Sequence, residues 1–311
     1  MTAVSDLFDS ILGQSSAIRL LQASLDRDRL APAYLFFGTP GVGKRLTARR
    51  FCQALLHGDN LNHPDLLWVE PTYLDKGKIY TRSEAIAANL NRKGLPQVRL
   101  EQIRQLTEFL GHAPLKSNRL VVVIEGAETM AEAAANALLK TLEEPGKATL
   151  VLISPGLDAL LPTLVSRCQL IPFRRLSRQD LTQVLHRVLN QPNQSVQSDL
   201  WELLLAMGQG SPGETLKALT EYEKIEAIAP DLISQLTKHL ENKQLKQSET
   251  PSKKTKLIQS LSLAKQIAQT LELEAQLWLL QLMHHSYWQA WHQPQVHPRL
   301  ERSLLQLSSY V

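Results

Sequence analysis

Cysteine is nearly missing from this chain, with only Cys52 and Cys168 in 311 residues. Two thiols so far apart in sequence build no disulfide framework, which points to a reducing compartment. Long apolar runs are missing too. No stretch approaches the ~20 residues that span a bilayer, and Met1 to Ser10 lacks the basic and apolar regions of a secretory signal. These absences predict a cytoplasmic protein that makes no membrane contact. Neither sign of charge dominates: a net charge of +4 permits contact with nucleic acid without requiring it. What remains is an ordinary globular composition, 43% hydrophobic and 21% charged, in a chain long enough for two or three domains.

One loop carries a recognisable chemistry. The apolar run Ala33-Tyr34-Leu35-Phe36-Phe37 leads into Gly38-Thr39-Pro40-Gly41-Val42-Gly43-Lys44, where an apolar-periodic helix opens. A bare G-x-x-x-x-G-K match arises by chance about one time in ten in a chain this long, so its setting decides. A buried-type strand before and a helix after is the setting a phosphate-binding loop needs. Such a loop turns backbone N–H groups toward a phosphate at the positive end of a helix, while the lysine neutralises phosphate charge.

The hydrolytic parts are altered. The position after Lys44, where Ser or Thr would hold Mg²⁺, is Arg45, which has no acceptor to offer a metal. A second apolar strand, Leu120-Val121-Val122-Val123-Ile124, runs into Glu125-Gly126, where an active ATPase would place an acidic pair. Glu125 is long enough to reach Mg²⁺, but Gly126 has no side chain to orient water. The pattern argues against turnover more than against nucleotide binding.

Along the chain, apolar strands alternate with amphipathic helices up to about residue 173, the signature of a mostly parallel sheet with helices on both faces. Ser15 or Ser16 is placed to cap a helix bearing Ile18, Leu21 and Leu25. Further strands are expected at Leu66–Val69, Thr149–Ser154 and Gln169–Phe173, and helices at Lys44–Leu56, near Leu100–Leu110 and near Ala131–Glu144. The polar stretch Tyr73–Gln97 reads as an inserted excursion with one short helix. Beyond Phe173 the strand signal ends. Ser177-Arg178-Gln179-Asp180 has the form of a capping box ahead of an apolar helix, and the rest is helical apart from a polar, lysine-bearing linker at Gln247–Lys256. The architecture is α/β followed by two helical pieces.

Several runs occur in an order that resembles a known family: Phe8-Asp9-Ser10-Ile11-Leu12-Gly13-Gln14, the strand before the loop, Asn136-Ala137-Leu138-Leu139-Lys140-Thr141-Leu142-Glu143-Glu144-Pro145, and Leu160-Leu161-Pro162-Thr163-Leu164-Val165-Ser166-Arg167-Cys168. Together they resemble the AAA+ subunits of bacterial clamp loaders, most closely the delta-prime family. The resemblance implies an α/β P-loop AAA+ domain at 1–174, a small helical lid domain at 175–221 and an all-helical collar at 222–311, whose Leu277–Leu282 run and Trp278, Trp288 and Trp291 are packing candidates. It also implies that Arg167 is an arginine finger, a planar cation that stabilises charge on a phosphoryl group in a neighbouring subunit. Ser154 matches a first sensor of the γ-phosphate. Glu214 stands where active members usually carry arginine, and a carboxylate there would repel a triphosphate.

Many relatives insert a four-cysteine zinc module after the P-loop helix. Here only Cys52, His57 and His63 are available, without paired ligand spacing, so no zinc is expected; the helical spacing of Cys52 is that of a core residue. The face bearing Lys140, Glu143 and Glu144 is either a solvated helix face or, as the family implies, a surface toward DNA or an adjacent subunit. The implied partners are the gamma/tau motor and delta subunits, the sliding clamp and primed DNA. The implied activity is an accessory one in a DNA-directed DNA polymerase, a nucleotidyltransferase complex, with ATP or ADP bound at Gly38–Arg45, Glu125 and Ser154 and weak or absent Mg²⁺ coordination. Two other readings stay open: a working AAA+ ATPase, such as the motor subunit itself, and a monomeric P-loop kinase, which leaves Arg167 and the helical tail unexplained.

Overall fold

The computed structural model describes residues 6–27, 29–58, 62–75, 77–81, 84–85, 95–144, 146–189 and 198–228. The chain divides into two compact units, Met1–Val184 and Leu185–Val311. The Gln247–Lys256 linker and the apolar and tryptophan positions proposed for the collar lie outside the described residues.

The first unit is built on a five-stranded sheet in the order β2-β5-β6-β1-β7. Its strands are β1 (Ala33–Phe37), β2 (Leu66–Val69), β5 (Leu120–Ile124), β6 (Ala148–Ser154) and β7 (Gln169–Pro172). All neighbours pair in parallel. Parallel strands need crossovers, and helices supply them: α1 (Ser15–Asp26), α2 (Lys44–Leu56), α3 (Leu100–Leu110), α4 (Glu132–Glu143) and the short α5 (Pro162–Val165).

The apolar runs of the central strands are continuous because both faces are covered. Alternate residues point to opposite sides. Leu35, Val122, Ile124, Leu150 and Leu152 pack with Ile103 and Leu106 of α3 and with Leu138 and Leu142 of α4. Tyr34, Phe36, Val121, Val123 and Val151 pack with Leu21 of α1 and with Ala48, Phe51 and Cys52 of α2. Each such Leu or Phe contributes ~1.5–3 kcal/mol relative to exposure. Burial of Cys52 pushes its thiol pKa up to about 12, in keeping with a core residue.

Two local arrangements differ from the sequence expectation. Neither Ser15 nor Ser16 caps α1; Gln14 occupies the N-cap position and its side chain makes no cap bond. Instead the buried Gln14 amide donates to the carbonyls of Val42, at 3.1 Å, and Arg174, at 2.7 Å, and accepts the Arg174 N–H at 3.1 Å. It ties the start of α1 to the P-loop and to the residues following β7. The Tyr73–Gln97 excursion begins not as a helix but as an antiparallel hairpin of β3 (Tyr73–Asp75) and β4 (Lys78–Tyr80), with Gly77 in left-handed backbone between them. Residues 84 and 85 are helical, and 86–94 lie outside the described residues.

Asp65, wholly buried just before β2, organises the loop that precedes β5. Its carboxylate accepts the N–H groups of Leu115, Lys116 and Ser117 at 2.6, 2.8 and 2.7 Å, and the Ser117 hydroxyl at 2.7 Å. Burial alone would raise its pKa; these donors outweigh that and hold it well below the usual carboxylate range.

Helix α6 (Arg178–Val188) follows, capped as expected by Ser177, whose Oγ accepts the Asp180 N–H at 3.1 Å. In the second unit α7 (Ser198–Gly208) packs on α8 (Pro212–Ile228) through buried Leu204, Leu205 and Ala218.

Candidate nucleotide cleft and the exposed arginine

Strand register gathers the candidate residues. Val69 pairs with Ile124, so Glu70 and Glu125 leave the sheet side by side. Phe37 pairs with both Ser154 and Pro172, which sets the P-loop at the carboxyl end of β1, between the ends of β6 and β7. In open α/β sheets this edge is where ligands bind. A cleft of about 630 Å³ opens there, lined among others by Gly41, Lys44, Arg45, Glu125, Gly126 and Ser154. Thr39 sits in the loop itself, its buried hydroxyl without a hydrogen-bond partner. Of the loop residues named from sequence, Pro40, Gly41, Gly43, Lys44 and Arg45 line the cleft with Glu125 and Ser154, whereas Gly38 and Thr39 do not and Val42 is buried in the core.

The loop takes the close-approach geometry that glycine permits. Gly38 has φ of +145°, and a Cβ there would lie 2.2 Å from the Phe173 carbonyl oxygen. Lys44 begins α2 and its ammonium folds back to donate to the carbonyls of Gly38 and, at 2.8 Å, Thr39. Burial pushes the Lys44 pKa down to about 8, and the Glu128 carboxylate pulls it back upward. Glu128, not singled out from sequence, has a pKa raised chiefly by burial and one buried oxygen without a partner. Lys44 and Glu128 thus face the same cleft with opposite charge.

Arg45 forms ion pairs with Glu70 and with Glu125, the latter at 2.8 Å from Nε to Oε1. The same Glu125 oxygen accepts the Trp68 indole N–H at 2.7 Å. The carboxylate expected to reach a metal is thus engaged by a resident cation and an indole. Burial pushes the Glu125 pKa upward, with Arg45 the largest opposing influence. Among the described residues no cluster of His, Cys, Asp or Glu has the make-up of a metal site.

Gly126 is fixed more firmly than its composition suggests. Its φ is +60°, and an added Cβ would lie 2.6 Å from Cγ of Pro71. Backbone and neighbour both oppose an acid at this position. Ser154 Oγ donates to the Gly156 carbonyl at 2.8 Å, so the residue at the first-sensor position is engaged locally. Glu214 lies in the first turn of α8 in the second unit.

Arg167 is elsewhere, in the turn between α5 and β7. Leu164 is buried and Cys168 half-buried against the sheet, burial pushing the Cys168 thiol up to about 11. Ser166 and Arg167 between them are exposed. The Arg167 guanidinium donates to the Thr163 carbonyl at 3.0 Å and to Glu143 Oε1, on α4, at 2.8 Å. Glu143 was legible only as part of an exposed helix face; its pairing arises because α4 and α5 pack together.

A P-loop opening α2 from β1, within a parallel sheet that places β6 between β1 and β5, defines an AAA+-related P-loop domain. The family model for the DNA polymerase III delta subunit matches residues 13–177, and that for the cyanobacterial DNA polymerase III delta prime C-terminal domain matches 179–311. The chain belongs to the delta-prime family of DNA polymerase III clamp-loader proteins. Subunit delta' of Bacillus subtilis is 33% identical over 202 residues, 57% of this chain and 55% of that protein. Subunit tau of the same organism is 26% identical over 222 residues, 69% of this chain and 37% of that one. The matches span about half or less of the length of these curated relatives. Among solved structures, a DNA polymerase III gamma subunit-related protein of Thermotoga maritima aligns over 93% of this chain and 90% of that one, with 18% identity and a TM-score of 0.49.

Proposed function

We propose that this chain is a non-hydrolysing subunit of the DNA polymerase III clamp loader that supplies Arg167 to the ATP site of a neighbouring motor subunit, so that the sliding clamp is loaded on primed DNA. The observation that carries the reading is a contrast within one domain. Its own cleft has Arg45 where a metal ligand is needed and a sterically enforced glycine where an acid is needed, while the guanidinium of Arg167 stands at the surface with one exposed carboxylate partner. Catalysis of phosphoryl transfer is largely positioning and charge stabilisation, so a domain without its own hydrolytic parts can still contribute one charge in trans.

In this reading the gamma/tau motor and delta subunits are the partners, the helical tail after residue 221 is the collar that joins them, and DNA is met through the complex. Its own ATP turnover is weak or absent.

The test is steady-state ATP hydrolysis by the chain alone, by motor and delta subunits without it, and by the full complex carrying wild-type or Arg167→Ala chain, with clamp and primed DNA present. The reading expects silence from the chain alone and a fall of ~10³-fold or more at the site Arg167 serves. Hydrolysis by the isolated chain that Lys44→Ala abolishes would make it a motor and overturn the proposal.

A further inference from the structure

Arg45 does more than fail to bind a metal. It is the second residue of α2, and its guanidinium bridges Glu70, the residue after β2, and Glu125, the residue after β5. Trp68 reinforces the arrangement: its indole donates to Glu125, and the guanidinium carbons of Arg45 and Arg49 each lie 5.8 Å from its ring centroid. In a metal-dependent P-loop site the divalent ion joins the helix start to the end of the second strand through a hydroxyl and a carboxylate. Here a cation belonging to the chain itself makes that junction, and Glu70 extends it to the edge strand.

We propose that Arg45 is a built-in replacement for the divalent cation: the cleft refuses Mg²⁺ and takes a nucleoside di- or triphosphate in its metal-free form. Mg²⁺ requires about six oxygens at ~2.0–2.1 Å in octahedral array. At Glu125 Oε1 it must displace both a guanidinium and an indole N–H, and at the other carboxylate oxygen it would sit beside the resident arginine, cation against cation. A polyphosphate needs no such rearrangement, because Gly41, Gly43, Lys44 and the start of α2 already border the open cleft. The inference rests on the reading that this chain's own site is silent and is independent of the role of Arg167.

Isothermal titration of the full chain with ADP and ATP, in EDTA and again in excess Mg²⁺, tests it. Wild-type chain is expected to bind both nucleotides in EDTA, with Mg²⁺ leaving affinity unchanged within about threefold or weakening it. Arg45→Thr, which restores a hydroxyl, is expected to gain a preference for Mg²⁺ of about tenfold or more. Glu70→Gln, which loosens Arg45 without touching the loop, shifts the preference in the same direction and serves if Arg45→Thr does not fold. Wild-type binding that requires Mg²⁺ overturns the proposal. So does absence of wild-type binding in either buffer, or a folded Arg45→Thr or Glu70→Gln chain with no gain in Mg²⁺ preference. None of these outcomes alters the hydrolysis assay on Arg167→Ala, so the two ideas fail separately.

Discussion

Two arginines of the same domain, each paired with carboxylate, differ in how their partners are solvated. Arg45 binds two carboxylates, and these partners are the more sheltered, 29% exposed at Glu70 and 16% at Glu125. Arg167 binds a single carboxylate, Glu143, which is 54% exposed. Withdrawing Arg45 would strand Glu125 in surroundings that already disfavour its charge, whereas withdrawing Arg167 would leave Glu143 to water. Exposure of the cations themselves runs the other way, 49% at Arg45 and 36% at Arg167, so the proposed difference between a brace and a charge given in trans rests on the solvation of the partner carboxylates.

The sharpest way to break this contrast is to delete each arginine in turn within the assembled complex. Arg167→Ala is expected to lower ATP turnover by ~10³-fold at the site it serves. Arg45→Ala is expected to leave turnover per folded complex within about threefold, a shift below ~1 kcal/mol in barrier. Equal losses from both would erase the distinction.

Introducing an acid tests whether the proposed silence of the cleft is built into the backbone. Gly126→Glu is expected to cost about 1–3 kcal/mol of stability in urea unfolding, because it puts a side chain at left-handed φ and against Pro71. ATP turnover should not appear. A stable Gly126→Glu chain that hydrolyses ATP would show that the glycine was incidental.

Stability separates the arginines more finely. Arg45→Ala is expected to destabilise the isolated chain by ~1–2 kcal/mol, discounted because the arginine itself is half exposed. The loss should depend on pH. Burial raises the folded pKa of Glu125 above its ordinary 4.5, so the folded state holds an extra proton just above that value. The stability associated with this group is complete below the unfolded pKa and falls as pH rises through the folded one. Without Arg45 the folded pKa rises further, so the penalty should be largest at neutral pH and shrink on acidification, read as urea midpoints between about pH 4 and 7. Glu143→Gln, by comparison, is expected to change stability by less than ~0.5 kcal/mol.

Much of this was written locally. The P-loop pattern, the helix after it and the strand before it follow from adjacent residues, as does the alternation of strands and helices. The altered positions Arg45 and Gly126 were visible as departures from a pattern. Their consequences were not. Glu70, Trp68 and Glu128 carry no motif, and Trp68 meets Glu125 across 57 positions of sequence. Gln14 stands in the sequence only as the end of a short run, yet its amide acts across 160 positions on the Arg174 backbone. The β3–β4 hairpin was missed because its strands are three residues each, too short for a period-2 signal against a polar background.

Adjacent residues alone were enough for the strands of the five-stranded sheet and the helices between them, for the G-x-x-x-x-G-K pattern of the loop, and for Arg45 and Gly126 standing where that pattern asks for a hydroxyl and an acid. These depend on short-range periodicity and on residue chemistry, which need no partner from elsewhere in the chain. Tertiary structure alone decided that Arg45 is braced by two carboxylates, that a side chain at position 126 would press on Pro71 and that Arg167 rests on Glu143. Those outcomes follow from the parallel register of β2 with β5 and the packing of α4 against α5, which bring charges together across long stretches of chain and set how much water each one keeps.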